Sequence, residues 1–395
     1  MTDYVGKREC LNPLAEGTLP FGMISSHSSP ASDDFSKKLL RFLPNLRTAS
    51  VEAKSGYLWG KSVFNSHILK TLSPETYKQL QSTDIVAERW IVSDDSKFPS
   101  LVLHGGDVIS FPKLLAENGS SLLGSEHLKK FGPCLKVMMK LLDTHDTSTL
   151  GSLSVQVHPK VGHVKRPAKL EMWKGHGNLY LGWNQNMNPS LIAESSSSGT
   201  LENYLNKISL NGECVVVPGG IVHAIRYASF LSEWSEAPGI EDTRSIQDST
   251  ISLYDRTDGK PARPGKEDLQ GALDLLSDTN TFEAFRVSLQ LPESIEKKPS
   301  FERWKLFNTP QVHVEEWRIF KEFSLNLEKR GFPAYVENGS GEVWRDEHKL
   351  ACIKSGEELF FPAALERVTF KALTTPLVIQ VWQAPLEGKG LGKLL

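Results

Sequence analysis

Two short phrases place chemistry where an ordinary strand has no use for it. In 154-SVQVHPK-160, Val155 and Val157 suit a pleated, half-buried surface, and Gln156 and His158 alternate with them. Successive strand side chains point to opposite faces, so the amide of Gln156 and the imidazole of His158 share one face. In 169-KLEMW-173, Lys169 and Glu171 are again two apart. A third phrase, 217-VPGGIVHAI-225, brings His223 after a Pro-Gly-Gly turn. Together Gln156, His158, Glu171 and His223 offer two imidazoles, a carboxylate and an amide oxygen. Two histidines and a carboxylate with an open position are the ligand style of a catalytic zinc site. Iron or manganese fits the same donors, because ligand type alone selects poorly. Each residue also has a plainer use by itself: a histidine beside apolar residues is commonly a hydrogen-bonded core group, and Glu171 alone reads as solvated. The joint occurrence on strand-like segments is what points to a metal.

The elements that must position these residues are mostly short strands. From 151 to 256 the chain reads as strands separated by turn residues, with a Ser-rich loop at 194-ESSSSGT-200. Short β-rich runs recur at 312-VHVEEWRIF-320, 334-AYVE-337, 358-ELFF-361 and 377-LVIQVWQ-383. Many short strands with regular turn signals predict a sandwich, barrel or jelly roll. Helical signals are fewer. The stretch 35-FSKKLLRFL-43, with Asp33 or Asp34 as cap, and 73-SPETYKQLQ-81, with proline in its first turn, are expected helices. So are 126-EHLKKF-131, followed by 135-LKVMMKLLD-143, and 266-KEDLQGALDLL-276, placed between two β-rich parts. The phrase 211-NGECVVVPGGIVHAI-225 has an echo in 355-SGEELFFPAALERVTF-370: Gly-Glu, an apolar run, then Pro218 or Pro362, and five residues on His223 or Arg367. Chance recurrence of a strand-turn phrase is one reading; a duplicated barrel in which only the first copy keeps the histidine is the other.

The bulk numbers bound the rest. A chain of 395 residues favours two domains or an elongated two-part body. Its 39% hydrophobic and 23% charged content is that of a soluble globular protein. With 45 basic and 47 acidic residues the formal charge is −2, so neither nucleic acid nor an anionic membrane is the expected partner. The first 25 residues have no basic stretch followed by an apolar one, and no apolar run reaches transmembrane length. Cys10, Cys134, Cys214 and Cys352 are far apart with no C-x-x-C pair, which argues against a disulfide framework and for a reducing cytoplasm.

The phrases 153-LSVQVHPK-160, 168-AKLEMW-173, 213-ECVVVPGGIVHAI-225 and 253-LYDR-256 resemble those of type I mannose-6-phosphate isomerases, a zinc-dependent cupin family. Upstream, 58-LWGK-61, 88-ERWIVS-93 and 135-LKVMMKLLD-143 resemble the family's N-terminal phrases. The likeness runs from about 57 to 276, and its specificity lies in the order of the phrases. It implies a mainly β fold with helical additions: two cupin (jelly-roll) barrels with metal in the first only. Residues 1–50 are then an N-terminal extension on the first barrel. The metal-binding barrel spans 51–265, a helical connection 266–300, and a metal-free barrel 301–395. The resemblance also implies one zinc ion per chain on Gln156, His158, Glu171 and His223, with Lys169 as the active-site lysine and Asp248 as an acidic catalytic residue. The expected reaction interconverts mannose 6-phosphate and fructose 6-phosphate through a cis-enediol, with a small sugar phosphate as the partner. Such a reaction moves a proton between C1 and C2, and Lys169 suits general acid or base work beside Glu171.

Departures are visible. The spacing between His158 and Glu171 is several residues shorter than in the family, and extra residues, roughly 237-APGIEDTRSI-246, follow 231-LSEW-234. The family's arginine four residues after the acidic position falls on Ser252; Arg256, suited to bidentate phosphate binding, or Arg244 is its expected replacement. Lys160, Lys165, Arg166 and Lys169 around His163 form a basic patch suited to a sugar phosphate, or simply a solvated loop. His163 and His176 match no ligand position. Trp173 and Trp183 suit either a sugar ring or a barrel core. Three rival functions follow: a cupin isomerase for another sugar, a sugar-sensing cupin without turnover, and an iron-dependent cupin oxygenase, which the glutamine disfavours.

Overall fold

Long, fully buried apolar runs leave no solvated face for a helix, and the chain answers them with strands. A computed structural model describes residues 37–50, 60–62, 65–70, 72, 84–96, 98–104, 107–144, 153–160, 168–236, 251–254, 269–276, 289–386 and 393–394. Val137–Asp143 is a strand buried at every position. The architecture is mainly β with a few helices, arranged in sheets of eleven, nine and five strands.

The eleven-stranded sheet holds the segments singled out above. Its order runs from Ile251–Tyr254 through Val155–Val157, His223–Ile225, Glu171–Trp183, Phe230–Glu236, Val137–Asp143 and Asp84–Ile91 to Asn45–Ser50. Glu171–Trp183 is the pivot. One edge pairs along most of its length with Leu205–Val217. The other edge serves two partners, Phe230–Glu236 beside residues 171–176 and His223–Ile225 beside residues 179–181. All these pairings are antiparallel, so one long strand sets the register of three partners.

The nine- and five-stranded sheets are built mainly from residues 293–394 and enclose a second core, with Trp317, Phe323, Phe332, Phe361 and Phe370 in mutual ring contact. Two early segments join them. Leu40–Leu43 pairs with Glu358–Phe361 on one side and Leu101–His104 on the other, while Asn45–Ser50 belongs to the eleven-stranded sheet. The helix expected over 35–43 is therefore a strand at its second half. Leu40 and Phe42 are buried and Arg41 is exposed, a period of two that sheet pairing rewards and helical propensity does not.

Other helical expectations divide. Ser125–Phe131 and Leu269–Leu275 are helices, the region 73–81 lies outside the described residues, and two expected helical stretches hold strands instead, Val137–Asp143 within 135–143 and Glu293–Lys298 within the helical connection. A helix not singled out in the sequence, Phe111–Leu123, opens with Pro112 and buries Phe111, Leu114, Leu115, Leu122 and Leu123. Phe111 packs edge-on against Phe42 at 4.9 Å and Phe360 at 5.3 Å, which seats this helix over two neighbouring strands of the nine-stranded sheet. The internal echo has a structural counterpart. In one copy a strand ends at Val217 and the next begins at His223; in the other a strand ends at Phe361 and the next begins at Arg367. His223 is buried and Arg367 exposed. No helix among the described residues is long and apolar enough to cross a membrane.

Candidate metal centre

The ligand candidates meet because of register. Gln156 stands directly opposite His223 across an antiparallel pair, which puts both on one face. His158 follows two residues later, its carbonyl held by the Gly220 N–H at 2.8 Å. Glu171 opens the pivot strand, opposite Ser235 and beside Trp173, whose ring packs edge-on against His223 at 5.5 Å. The Pro-Gly-Gly turn closes on the first ligand strand: a Cβ on Gly219 would lie 2.3 Å from the Pro159 carbonyl oxygen, so only glycine permits this approach.

His158, Glu171 and His223 offer ligand atoms all within 4.8 Å of one another, and all three are buried. His158 Nε2 lies 2.9 Å from Glu171 Oε1 and His223 Nε2 lies 3.3 Å from Oε2. His223 Nδ1 is 2.8 Å from the Ile221 carbonyl. A carbonyl can only accept, so Nδ1 carries a proton and Nε2 is the ring atom turned toward Glu171 and the cluster. A backbone carbonyl orienting an imidazole in this way is the usual support of a metal-binding histidine.

The electrostatics agree with a cation's requirements. Burial, then the Lys169 ammonium, pushes His158 down to about 4, so its imidazole is neutral at physiological pH. Burial would raise the Glu171 carboxyl, but Lys169 and the two histidines overcome it and hold the group well below the usual carboxylate range. A neutral His158 imidazole and the His223 ring, both facing an ionised carboxylate in a dry interior, fit a divalent metal such as zinc.

Lys169 precedes the pivot strand rather than lying in it, yet its ammonium contacts Glu171 Oε1 and is only 5% exposed. Four of the sequence candidates, His158, Lys169, Glu171 and His223, are thus in direct proximity, with Gln156 in the row beside them. Asp248, Arg256, Arg244 and His163 lie outside the described residues. Ser252 pairs through its backbone with Gln156, next to the ligand row. His176 is exposed, and Trp183 belongs to a hydrophobic core.

Sequence reasoning missed an acidic and basic cluster on the same interior face. Glu233 stands opposite Trp173, and Lys140 bridges Glu233 and Glu88 at 3.8 Å each. Burial and then the charge of Glu171 raise the Glu233 carboxyl, while Lys140 opposes them. The available signal was a charged residue at alternating positions inside apolar strands, as in 231-LSEW-234 and 137-VMMKLLD-143.

No protein-family model matches the chain, and no curated protein matches its sequence. Solved structures match its fold. The mannose 6-phosphate isomerase from Bacillus subtilis aligns with a TM-score of 0.66 at 18% identity, covering 88% of this chain and 99% of that one. A point mutant of the phosphomannose isomerase from Salmonella typhimurium aligns at 0.63 and 13%, covering 88% of this chain and 100% of that one. A mannose 6-phosphate isomerase bound with zinc and yttrium gives the same TM-score, identity and coverage. At such identities the likeness is one of fold: the chain has the mainly β cupin fold of these isomerase structures.

Proposed function

We propose that this protein is a metal-dependent aldose–ketose isomerase that interconverts mannose 6-phosphate and fructose 6-phosphate. The observation that carries this reading is the buried His158–Glu171–His223 group with the Lys169 ammonium on its carboxylate. A cupin fold shared with structures of mannose 6-phosphate isomerases, one of them bound with zinc, supports it. His158, Glu171 and His223, with Gln156 as the fourth donor, would hold one zinc ion per chain. Bound there, zinc supplies Lewis acidity toward the substrate's oxygens. Neutral His and Gln donors with one carboxylate leave the site a net charge of about +1, suited to the negative charge that develops on the sugar in a cis-enediol.

The chain's own residues have the remaining tasks. Lys169 holds or moves the proton exchanged between C1 and C2, from a position where Glu171 fixes its ammonium. Asp248 assists as the acidic partner, and Arg256 takes the phosphate or the enediolate. The sharing of labour assigns the metal to a barrel over 51–265 and leaves 301–395 as a metal-free barrel, with 1–50 packed on the first and 266–300 between them. The proposed location is the cytoplasm, where Cys134, Cys214 and Cys352, all free, stay reduced.

One feature favours another sugar or a sensing role. Ser252, paired to Gln156, occupies the position at which the resembling family has arginine. Turnover of mannose 6-phosphate by the purified protein, with zinc measured on the same sample before and after chelation, tests both. Chelator-sensitive turnover establishes the isomerase. Full zinc occupancy without turnover rejects this substrate and leaves the metal centre in place.

A further inference from the structure

At the ends of the ligand strands lies a cleft of about 250 Å³, lined by Lys160, Lys169, Gly219, Glu236 and Gln311 among others. It is of a size to take one small molecule. Lys169 belongs both to this cleft and to the ligand cluster, since its ammonium touches Glu171. The cleft and the ligand cluster therefore share Lys169 as a common wall. Lys160, exposed, supplies positive charge at the opening.

Two other groups on the wall have no role so far. Glu236 ends the strand Phe230–Glu236, and its N–H donates to the Leu170 carbonyl at 3.1 Å, which fixes it beside Lys169. One of its carboxylate oxygens, Oε2, is buried and has no hydrogen-bond partner among the described residues. An unsatisfied buried acceptor is costly, and a ligand donor would relieve that cost. Gln311 comes from the other half of the chain, on the turn between Phe301–Asn308 and His313–Ile319. That turn is held by Thr309, whose hydroxyl accepts from the Gln311 and Val312 N–H groups at 3.3 Å and 2.9 Å. The C-terminal half thus contributes Gln311, on a turn of fixed backbone, to the wall of the cleft beside Lys169.

We infer that Glu236 and Gln311 are substrate-binding residues of this site, taking the hydroxyls of a polyol phosphate whose anionic end lies toward Lys160. A carboxylate accepts from hydroxyls and repels phosphate, while a side-chain amide both donates and accepts, so together they specify which end of the sugar enters first. The assignment rests on the isomerase reading only in taking Lys169 as the working end of the cleft.

The test measures steady-state constants for mannose 6-phosphate, together with zinc content, in Gln311→Ala, Glu236→Ala and Glu236→Gln. Calorimetric binding of a hexitol 6-phosphate, which has no carbonyl to isomerise, is followed in parallel. The expected result for Gln311→Ala is a KM raised roughly 3- to 10-fold, the size of one lost hydrogen bond, with kcat within about twofold and zinc unchanged. Hexitol 6-phosphate should weaken by the same factor while inorganic phosphate keeps its affinity. Glu236→Ala should show the same split, with Glu236→Gln intermediate because its carbonyl still accepts. Wild-type KM and hexitol 6-phosphate affinity in both alanine variants would overturn the assignment, as would a wild-type protein that neither binds hexitol 6-phosphate nor turns over the sugar. A wild-type protein that binds hexitol 6-phosphate without turnover rejects the isomerase reading alone, and the variants' affinities then decide the role of the cleft.

Discussion

Glu171 is the residue on which the site turns, because it meets both imidazoles and the Lys169 ammonium. Its ionised state depends on those three neighbours, so single substitutions should have separable effects. His223→Ala removes one of two imidazoles and leaves the Ile221 carbonyl with no ring to orient. Zinc affinity should fall by more than the roughly 10- to 100-fold typical of losing a supporting residue, and turnover with it; stoichiometric zinc in that variant, measured by elemental analysis, rejects the ligand set. Lys169→Met should behave in the opposite way. The carboxylate and both histidines remain, so zinc stays bound, while turnover drops by roughly 10²- to 10⁴-fold, the range typical of a general acid or base. A wild-type rate with zinc retained makes Lys169 a bystander. At this scale the sequence was readable: each donor lies in a phrase of a few residues whose alternation shows which side chains share a face.

The elements obeyed less local rules. Leu40–Leu43 carries a sequence that a helix accepts, yet it pairs with a strand more than 300 residues away. The helix Phe111–Leu123 lies across that junction, and the shorter helix Ser125–Phe131 follows it directly. In the second of these, His127 is buried and its Nε2–H donates to the Cys134 carbonyl at 2.7 Å. Burial, with Arg330 and Lys136 nearby, lowers its pKa from 6.5. A lowered folded-state pKa means that the unfolded chain binds the proton first as pH falls. The contribution of His127 is therefore present above about 6.5 and is lost as pH falls through that value toward the folded-state pKa. Between about pH 7.5 and about pH 5 the melting temperature of the wild type should fall more steeply than that of His127→Gln. Parallel melting curves at several pH values check this, and identical slopes sink it.

Across the whole molecule, buried ion pairs join the two halves. Arg89, on a strand of the eleven-stranded sheet, lies 2.7 Å from Glu358 on a strand of the nine-stranded sheet, and both side chains are almost wholly buried. The Arg89 guanidinium also donates to the Gly356 carbonyl at 2.7 Å, and Glu358 accepts from the Val92 N–H at 3.1 Å. Lys174 similarly reaches Glu316 and Glu337 across the same divide. Breaking such a pair leaves one buried charge alone, so Arg89→Ala should cost about 3–5 kcal/mol in denaturant-induced unfolding. Replacing both partners, Arg89→Met with Glu358→Met, should recover most of that loss, because the cost lies in the stranded charge. An Arg89→Ala variant of wild-type stability would show that water already reaches the pair.

The sequence by itself determined the donor types, their pairing two apart on strands and the mainly β character, because these depend on residue chemistry and a period of two. The tertiary structure alone decided which distant strands lie side by side. Gln156 meets His223, Glu233 meets Trp173, and Gln311 reaches the cleft beside Lys169 through sheet register and the packing of one half on the other. No local propensity encodes those pairings: a strand carries the same alternation whichever partner it finds, and the partner is selected by burial of the whole face at once.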